Sequence, residues 1–213
     1  RNRRVATFDM DSTLIQLECI DEMAAFCGVG DQVRHITHRA MNGELDFEAA
    51  LRERVKLLAG AHSQRVFDHV TSSIRYTPHA KFVCHTLKAL GFETAVLSGG
   101  FFPIIEDVQK HLKLCHAHAN LLEVDQRSGK LTGRLIPDSK IIDATAKEGH
   151  LLRICAESSV DLDLGLAVGD GANDLKMLKA AGLGIAFLAK TTVQAQTKYH
   201  INQLTLSPVL FLM

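Results

Sequence analysis

The order of the predicted helices and strands is the feature that most constrains how this chain can fold. A short β-prone run at 5–8 is followed by four helical patterns between 16 and 74, with no strand among them. From about residue 80 onward, helices and strands alternate, which favours a mainly parallel sheet with helices on both faces. We therefore predict an α/β fold with a doubly wound sheet and a small inserted helical cap.

This order also sets the predicted boundaries. Residues 1–15 and 76–213 are predicted to form the core, and 16–75 the helical cap. Because the first residue is Arg1 and not Met, we treat the chain as a candidate fragment that an N-terminal region would precede. The predicted helices cover 16–27, 31–41, 46–58, 62–74, 80–90, 102–113, 143–156 and 173–181. The predicted strands cover 5–8, 92–97, 164–168 and 183–187, with a hairpin from 120–125 to 130–136.

Composition narrows the class of protein. The 24 basic and 24 acidic residues balance, which argues against a nucleic-acid or membrane-surface partner. The five cysteines are scattered with no C-x-x-C pair, which predicts free thiols in a reducing compartment. No apolar run approaches the roughly 20 residues that span a bilayer. We expect a cytoplasmic protein with no membrane segment.

Acidic residues follow two of the predicted strands. Asp9 and Asp11 come after the first strand, and Asp170 and Asp174 after a later one. Since parallel strands end at the same edge of a sheet, these carboxylates should meet there and require a cation. Ligands that are all oxygen favour Mg²⁺ over zinc or copper. The alternative is that they are ordinary turn and helix-cap residues.

Two further elements suit a phosphate group. Ser98-Gly99-Gly100 ends a predicted strand just before a helix, where a hydroxyl and backbone N–H groups can approach an anion. Lys147, in a later helix, could neutralise phosphate charge. Each feature is weak alone, because such a turn is common and a helical lysine is usually solvated.

The order of these motifs is specific. Asp9-Met10-Asp11-Ser12-Thr13, Ser98, Lys147 and the segment 169–174 together resemble the four-motif series of the haloacid dehalogenase-like phosphatases. Within that superfamily, the resemblance narrows to the phosphoserine phosphatase family. The segments that carry it are 18–22, 40–47, 51–55, 96–101, 131–133 and 180–187. His79, Thr191 and the segment 115–118 depart from the family pattern, and none of them lies in a catalytic motif.

The resemblance implies a hydrolase mechanism. It makes Asp9 the nucleophile, which forms an aspartyl-phosphate, and Asp11 the acid and then the base. It implies that Mg²⁺ is held by Asp9, the Asp11 backbone carbonyl and Asp170, with Asp174 behind them orienting Lys147 or a metal-bound water. The phosphate oxygens would contact Ser98, Gly99 and Lys147.

The resemblance also implies a substrate. Glu18 would bind the ammonium and Arg54 the carboxylate of O-phospho-L-serine, in the last step of L-serine biosynthesis. Met41 and Phe47 would exclude water, and Asn173 would line the same opening. A homodimer is left open. Independently of the resemblance, Arg54 lies seven residues after Phe47 on the side of its helix that should be buried, where a charge needs a partner.

Other interpretations remain at this point. A related phosphatase could act on phosphoethanolamine or a sugar phosphate, and Arg54 could form an internal salt bridge. A receiver-type signalling domain also carries a phosphorylated Asp, but on a different strand from its acidic metal pair. The His35/His38 and His116/His118 pairs have no matching partner cluster, which disfavours a second metal site.

Overall fold

The computed structural model describes residues 4–213. The strands are β1 Arg4–Phe8, β2 Phe92–Phe101, β3 His116–Asn120, β4 Leu122–Asp125, β5 Lys130–Leu135, β6 Gly165–Gly169, β7 Leu183–Phe187 and β8 Tyr199–Ile201. The longer helices are α1 Cys19–Phe26, α2 Gly30–Met41, α3 Phe47–Lys56, α4 Ser63–Ser73, α5 Ala80–Ala89, α6 Ile104–Leu112 and α7 Ala144–Glu157. Three short helices follow: α8 Leu175–Ala180, α9 Thr191–Gln194 and α10 Val209–Leu212.

Six strands form one parallel sheet in the order β3-β2-β1-β6-β7-β8. The predicted doubly wound α/β fold is therefore confirmed. Strand β1 lies inside the sheet, and its side chains alternate between the two faces. Ala6 and Phe8 belong to the larger apolar cluster, which includes α5 and α6, whereas Val5 packs in a second cluster with α7 and α8. Burial on both faces holds the carboxyl end of β1 in place.

Two edge strands, β3 and β8, are not predicted by the sequence analysis. Strand β3 contains His116-Ala117-His118, which has little β propensity, and β8 is three residues long. Strand β2 also continues through Ser98-Gly99-Gly100 instead of ending at residue 97. The helix predicted from 16 begins at Cys19, because Met10–Leu14 forms a wide turn and Ile15 bridges to Tyr76.

The predicted hairpin β4–β5 forms a separate two-stranded sheet. Its backbone bonds the loop between α3 and α4: Gly60 N donates to Leu131 O at 2.8 Å, Leu131 N to Ala61 O at 2.8 Å, and Ser63 N to Gly129 O at 2.9 Å. The hairpin therefore contacts the helical segment, although the boundary at 75 assigns it to the core in sequence. Across residues 4–213, no helix combines the length and the apolar character needed to cross a bilayer.

Candidate active site

The chain turns sharply after β1. The Asp9 N–H donates to Val168 O at 2.9 Å, which keeps Asp9 in register with β6. Beyond Asp9, the turn leaves helical geometry at Asp11, and Ser12 has a left-handed φ of 57°. Asp9 and Asp11 consequently line one cavity of about 730 Å³.

Lys147 is the buried counter-charge of this site. Its Nζ donates to Asp9 Oδ1 at 2.5 Å and to Asp174 Oδ1 at 2.6 Å, and both Lys147 and Asp174 are fully buried. Burial alone would lower the pKa of Lys147, but the two carboxylates raise it, so the ammonium stays charged. Lys147 lies behind Asp9 and does not line the cavity. Its predicted contact with phosphate remains a prediction.

Three carboxylates cluster at the bottom of the site, two of them lining the cavity and one behind it. Oxygen atoms of Asp9, Asp170 and Asp174 lie within 4.8 Å of one another. Asp174 has one oxygen bonded to Lys147, and its other oxygen accepts from Gly171 N at 3.0 Å. Asp9 and Asp170 line the cavity, which leaves them as the carboxylates best placed for a cation there.

The electrostatics of the same carboxylates also suit a cation. Burial, followed by the charge of Asp174, raises the pKa of Asp9, and the same causes raise the pKa of Asp170 to about 7. Crowded carboxylates of this kind are stabilised by a divalent cation with oxygen ligands. The donor set therefore fits Mg²⁺.

Asp11 is held by the first residue of α1. Its Oδ2 accepts from Cys19 N at 3.2 Å and its Oδ1 from Cys19 Sγ at 3.0 Å. Burial, followed by the charge of Glu18, raises the pKa of Asp11 to about 7. Asp11 can therefore either hold or accept a proton near neutral pH, as acid–base catalysis requires.

The Ser98–Gly99 segment is braced by Asn120. Ser98 Oγ accepts from Gly100 N at 2.8 Å, and Gly99 O accepts from Asn120 Nδ2 at 2.8 Å. Asn120 Oδ1 in turn accepts from Ile142 N at 3.0 Å. A Cβ on Gly99 would lie 3.1 Å from Phe47 Cζ, so the glycine lets the helical segment approach closely. Sequence analysis missed Asn120, since no local motif marks it.

The residues predicted to bind substrate all line the same cavity: Glu18, Met41, Phe47, Arg54 and Asn173. Glu18 accepts from Ser12 Oγ at 2.6 Å, and Arg54 donates its Nε to Ala50 O at 3.2 Å. In the described part of the chain, Arg54 forms no ion pair. The internal salt bridge considered above is therefore not formed, and a half-buried guanidinium faces the cavity.

The rim of the cavity is open beside Met41. This side chain is 63% exposed, and Lys190 Nζ lies 3.8 Å from its sulfur. Exclusion of water by Met41 stays a prediction, because the side chain borders an opening here. Lys176 and Lys190 also line the cavity and were not predicted, since neither lies in a motif that sequence analysis recognised.

The sequence model of the family described as haloacid dehalogenase-like hydrolase matches residues 6–179. This chain belongs to that family. The predicted membership of the haloacid dehalogenase-like superfamily is thereby confirmed.

Several curated proteins resemble this chain over all or nearly all of its length. The phosphoserine phosphatase of Streptomyces coelicolor is 45% identical over 100% of the chain, which spans 51% of that relative. The probable phosphoserine phosphatase of Schizosaccharomyces pombe is 45% identical over 99% of the chain and 70% of its own length. The Lactococcus lactis phosphoserine phosphatase is 42% identical, with 95% of the chain and 91% of the relative covered. The chain thus spans about half the length of the Streptomyces relative and most of the Lactococcus one.

Solved structures of phosphoserine phosphatases superpose closely on this chain. A phosphoserine phosphatase described as a phospho-aspartyl intermediate analogue superposes with a TM-score of 0.91 at 37% identity, covering 100% of both chains. A substrate-bound phosphoserine phosphatase superposes with a TM-score of 0.92 at 37% identity, covering 100% of this chain and 99% of that one.

Proposed function

We propose that this chain is a Mg²⁺-dependent phosphomonoesterase that hydrolyses O-phospho-L-serine to L-serine and phosphate. The observation that carries the proposal is the composition of one cavity. Its floor holds Asp9 paired with a buried ammonium, and its wall carries Glu18 and Arg54, which match an ammonium and a carboxylate in charge. The similarity to phosphoserine phosphatases supports the same substrate.

In the first step, the free Oδ2 of Asp9 attacks phosphorus. Lys147 donates to Oδ1, so Oδ2 is the oxygen left to act as nucleophile. A bond forms between Oδ2 and phosphorus while the bond from phosphorus to the seryl oxygen breaks, and Asp11 gives its proton to that oxygen. The products are L-serine and an aspartyl-phosphate at Asp9.

In the second step, water attacks phosphorus and Asp11 accepts its proton. The bond from Asp9 Oδ2 to phosphorus breaks, phosphate leaves, and both carboxyl groups return to their starting states. One residue serves both steps because the conjugate base formed in the first step is the base that the second requires. Ser98 and Gly99 line the cavity where the phosphate oxygens would lie, and they would offer a hydroxyl and a backbone N–H to them.

The acidic cluster would hold Mg²⁺ through the Asp9 and Asp170 carboxylates, together with the Asp11 backbone carbonyl that the resemblance implies. When bound, Mg²⁺ would offset the repulsion between the phosphate dianion and the carboxylate that attacks it. Asp174 would support this arrangement indirectly, because its oxygens bond Lys147 and the Gly171 N–H.

We expect Mg²⁺ to stabilise the folded protein as well as activate it. At a Mg²⁺ concentration 100 times its Kd, the gain in unfolding free energy should be about 2.7 kcal/mol, seen as a rise in Tm. Asp170→Asn should lose most of this gain, whereas Asp31→Asn, on the exposed side of α2, should keep it. Equal Mg²⁺-induced shifts in Tm for the two variants would contradict the assignment of Asp170.

Arg54 should decide selectivity for the carboxylate of the substrate. We expect Arg54→Ala to lower kcat/KM for phosphoserine by about 10- to 150-fold, the value of a hydrogen bond to a charged group. The loss for phosphoethanolamine, which lacks the carboxylate, should be below about threefold by the same reasoning. Arg52→Ala is the matched control, because Arg52 lies on the same helix and pairs with Glu48 at the surface.

A substrate panel tests the proposed function directly. Phosphate release from phosphoserine should exceed that from phosphothreonine, phosphoethanolamine and a sugar phosphate. Faster release from either of the last two would favour the related phosphatase considered above.

The proposal includes a cytoplasmic location, a role in the last step of L-serine biosynthesis and no nucleic-acid partner. Sedimentation velocity would measure whether the chain forms a homodimer.

A further inference from the structure

The start of helix α1 is hydrogen-bonded to the turn that carries Asp11. Cys19 is the first residue of α1 and is completely buried. Its backbone N–H donates to Asp11 Oδ2 at 3.2 Å and its thiol donates to Oδ1 at 3.0 Å. Each oxygen of the carboxylate therefore receives one hydrogen bond from the same residue.

We propose that Cys19 is a positioning residue for Asp11, an inference that rests on the phosphatase function proposed above. The terminal torsion of an aspartate side chain is broad and roughly two-fold, so the carboxyl plane is free to turn unless something holds it. Donors on both oxygens fix that plane. The second lone pair of each oxygen stays available to the proton that Asp11 transfers.

The orientation matters because proton transfer is short-ranged. A catalytic acid must lie within about 2.6–3.2 Å of the atom that it protonates, and acid–base catalysis contributes about 10²- to 10⁴-fold to a rate. A carboxyl group that turns out of line loses part of this factor while the substrate still binds. The loss should therefore appear in kcat more than in KM.

The thiol is suited to donate and not to attack. The thiol is completely buried, and its sulfur lies 3.0 Å from Asp11 Oδ1, a carboxylate oxygen that accepts hydrogen bonds. The sulfur thus keeps its proton and donates it in a hydrogen bond to Asp11. In this respect Cys19 differs from a reactive cysteine, which is stabilised as the thiolate.

The neighbouring residue extends the role of this helix start. Glu18 immediately precedes Cys19, lines the cavity, and accepts from Ser12 Oγ at 2.6 Å. Glu18 and Cys19 therefore both bond the turn that carries Asp11, one to Ser12 and the other to Asp11 itself. A displacement of α1 would therefore move Glu18, which is predicted to contact the substrate ammonium, together with the Cys19 groups that donate to Asp11.

The test compares Cys19→Ala, which removes the thiol donor, with Cys19→Ser, which keeps a donor. Cys84→Ala is the matched control, because Cys84 is a buried cysteine on α5 that does not line the cavity. Two substrates are used. Phosphoserine releases an alkoxide that needs protonation, whereas p-nitrophenyl phosphate releases a stable phenolate that does not.

With phosphoserine, we expect Cys19→Ala to lower kcat by about 10- to 100-fold, with KM changed by less than about twofold. Cys19→Ser should restore kcat to within about threefold of the parent chain, since a hydroxyl also donates. With p-nitrophenyl phosphate, Cys19→Ala should release the first equivalent at the parent rate. Its later turnovers should be slow, because hydrolysis of the aspartyl-phosphate still needs Asp11 as a base.

Three results would overturn the inference. The first is a Cys19→Ala variant with the same kcat as Cys84→Ala. The second is an equal loss for Cys19→Ala and Cys19→Ser at an unchanged Tm. The third is a first turnover of p-nitrophenyl phosphate that slows as much as phosphoserine hydrolysis. Failure of the proposed function looks different, because the parent chain itself would then fail to release phosphate from phosphoserine.

Discussion

Asp9→Asn should reduce Mg²⁺-dependent release of phosphate from phosphoserine by at least about 10⁴-fold, because the amide nitrogen or oxygen cannot replace the attacking carboxylate. The fold should survive, since asparagine has the same shape and its Oδ1 can still accept from Lys147. The measurement is single-turnover phosphate release, together with mass spectrometry for a phosphate adduct on the peptide that contains Asp9.

The control for Asp9→Asn is Asp68→Asn, which makes the same chemical change at an exposed position of α4. That variant should match the parent chain in both rate and phosphate adduct. A phosphate adduct on any other carboxylate, or Asp9→Asn activity within tenfold of the parent chain, would show that Asp9 is not the nucleophile.

Lys147→Met should destabilise the protein by about 3–5 kcal/mol at neutral pH and should abolish activity. The reason is that the change leaves Asp9 and Asp174 buried without the ammonium that bonds both. Removing one partner of a buried ion pair costs this much because the remaining charge stays out of water. Urea unfolding without metal gives the difference directly as a change in the free energy of unfolding.

The deficit of Lys147→Met should shrink as the pH falls. Without the ammonium, burial and the charge of Asp174 hold the pKa of Asp9 still further above the unfolded value of about 3.9. A raised carboxyl pKa costs stability above the unfolded pKa, and the cost disappears once both states are protonated. Unfolding measured at a series of pH values from 7 downward should therefore show the variant approaching the parent chain.

Lys176→Met is the control for Lys147→Met. Lys176 is exposed on α8 and donates to Thr145 Oγ1 at 2.8 Å, so its loss should cost less than about 0.5 kcal/mol. Equal stability losses for the two variants, or a deficit of Lys147→Met that is constant with pH, would contradict the role of Lys147 as the buried counter-charge.

Much of the fold was predictable because local signals agreed with it. The apolar run of β1 predicts a buried strand, and Asp46, the first residue of the helix predicted over 46–58, caps α3 by accepting from Ala49 N at 2.7 Å. Asp143 caps α7 in the same way, accepting from Ala146 N at 2.7 Å. These signals involve residues within one turn of each other, which sequence reasoning can read.

What escaped prediction depends on distant residues. The role of Asn120 rests on bonds to Gly99 and Ile142, which are about 20 residues away on either side. The bond from the Lys147 ammonium to Asp9, 138 residues earlier, has no local signal either, and the contact of Lys147 with phosphate stays a prediction. The edge strand β3 forms because β2 offers it unpaired backbone groups, and its own residues have little preference for it.

The hairpin β4–β5 has a mechanical consequence for the helical segment. If the helical segment were attached to the core only through its two chain connections, it could rotate about the line that joins them. The backbone bonds from Gly60 and Ser63 to the hairpin add an attachment elsewhere, which restrains such rotation. Opening the cavity would then also require bending at the root of the hairpin, where Ile136 N donates to Leu121 O at 2.8 Å. Rotation of the helical segment would in that case be restrained at three places in the chain.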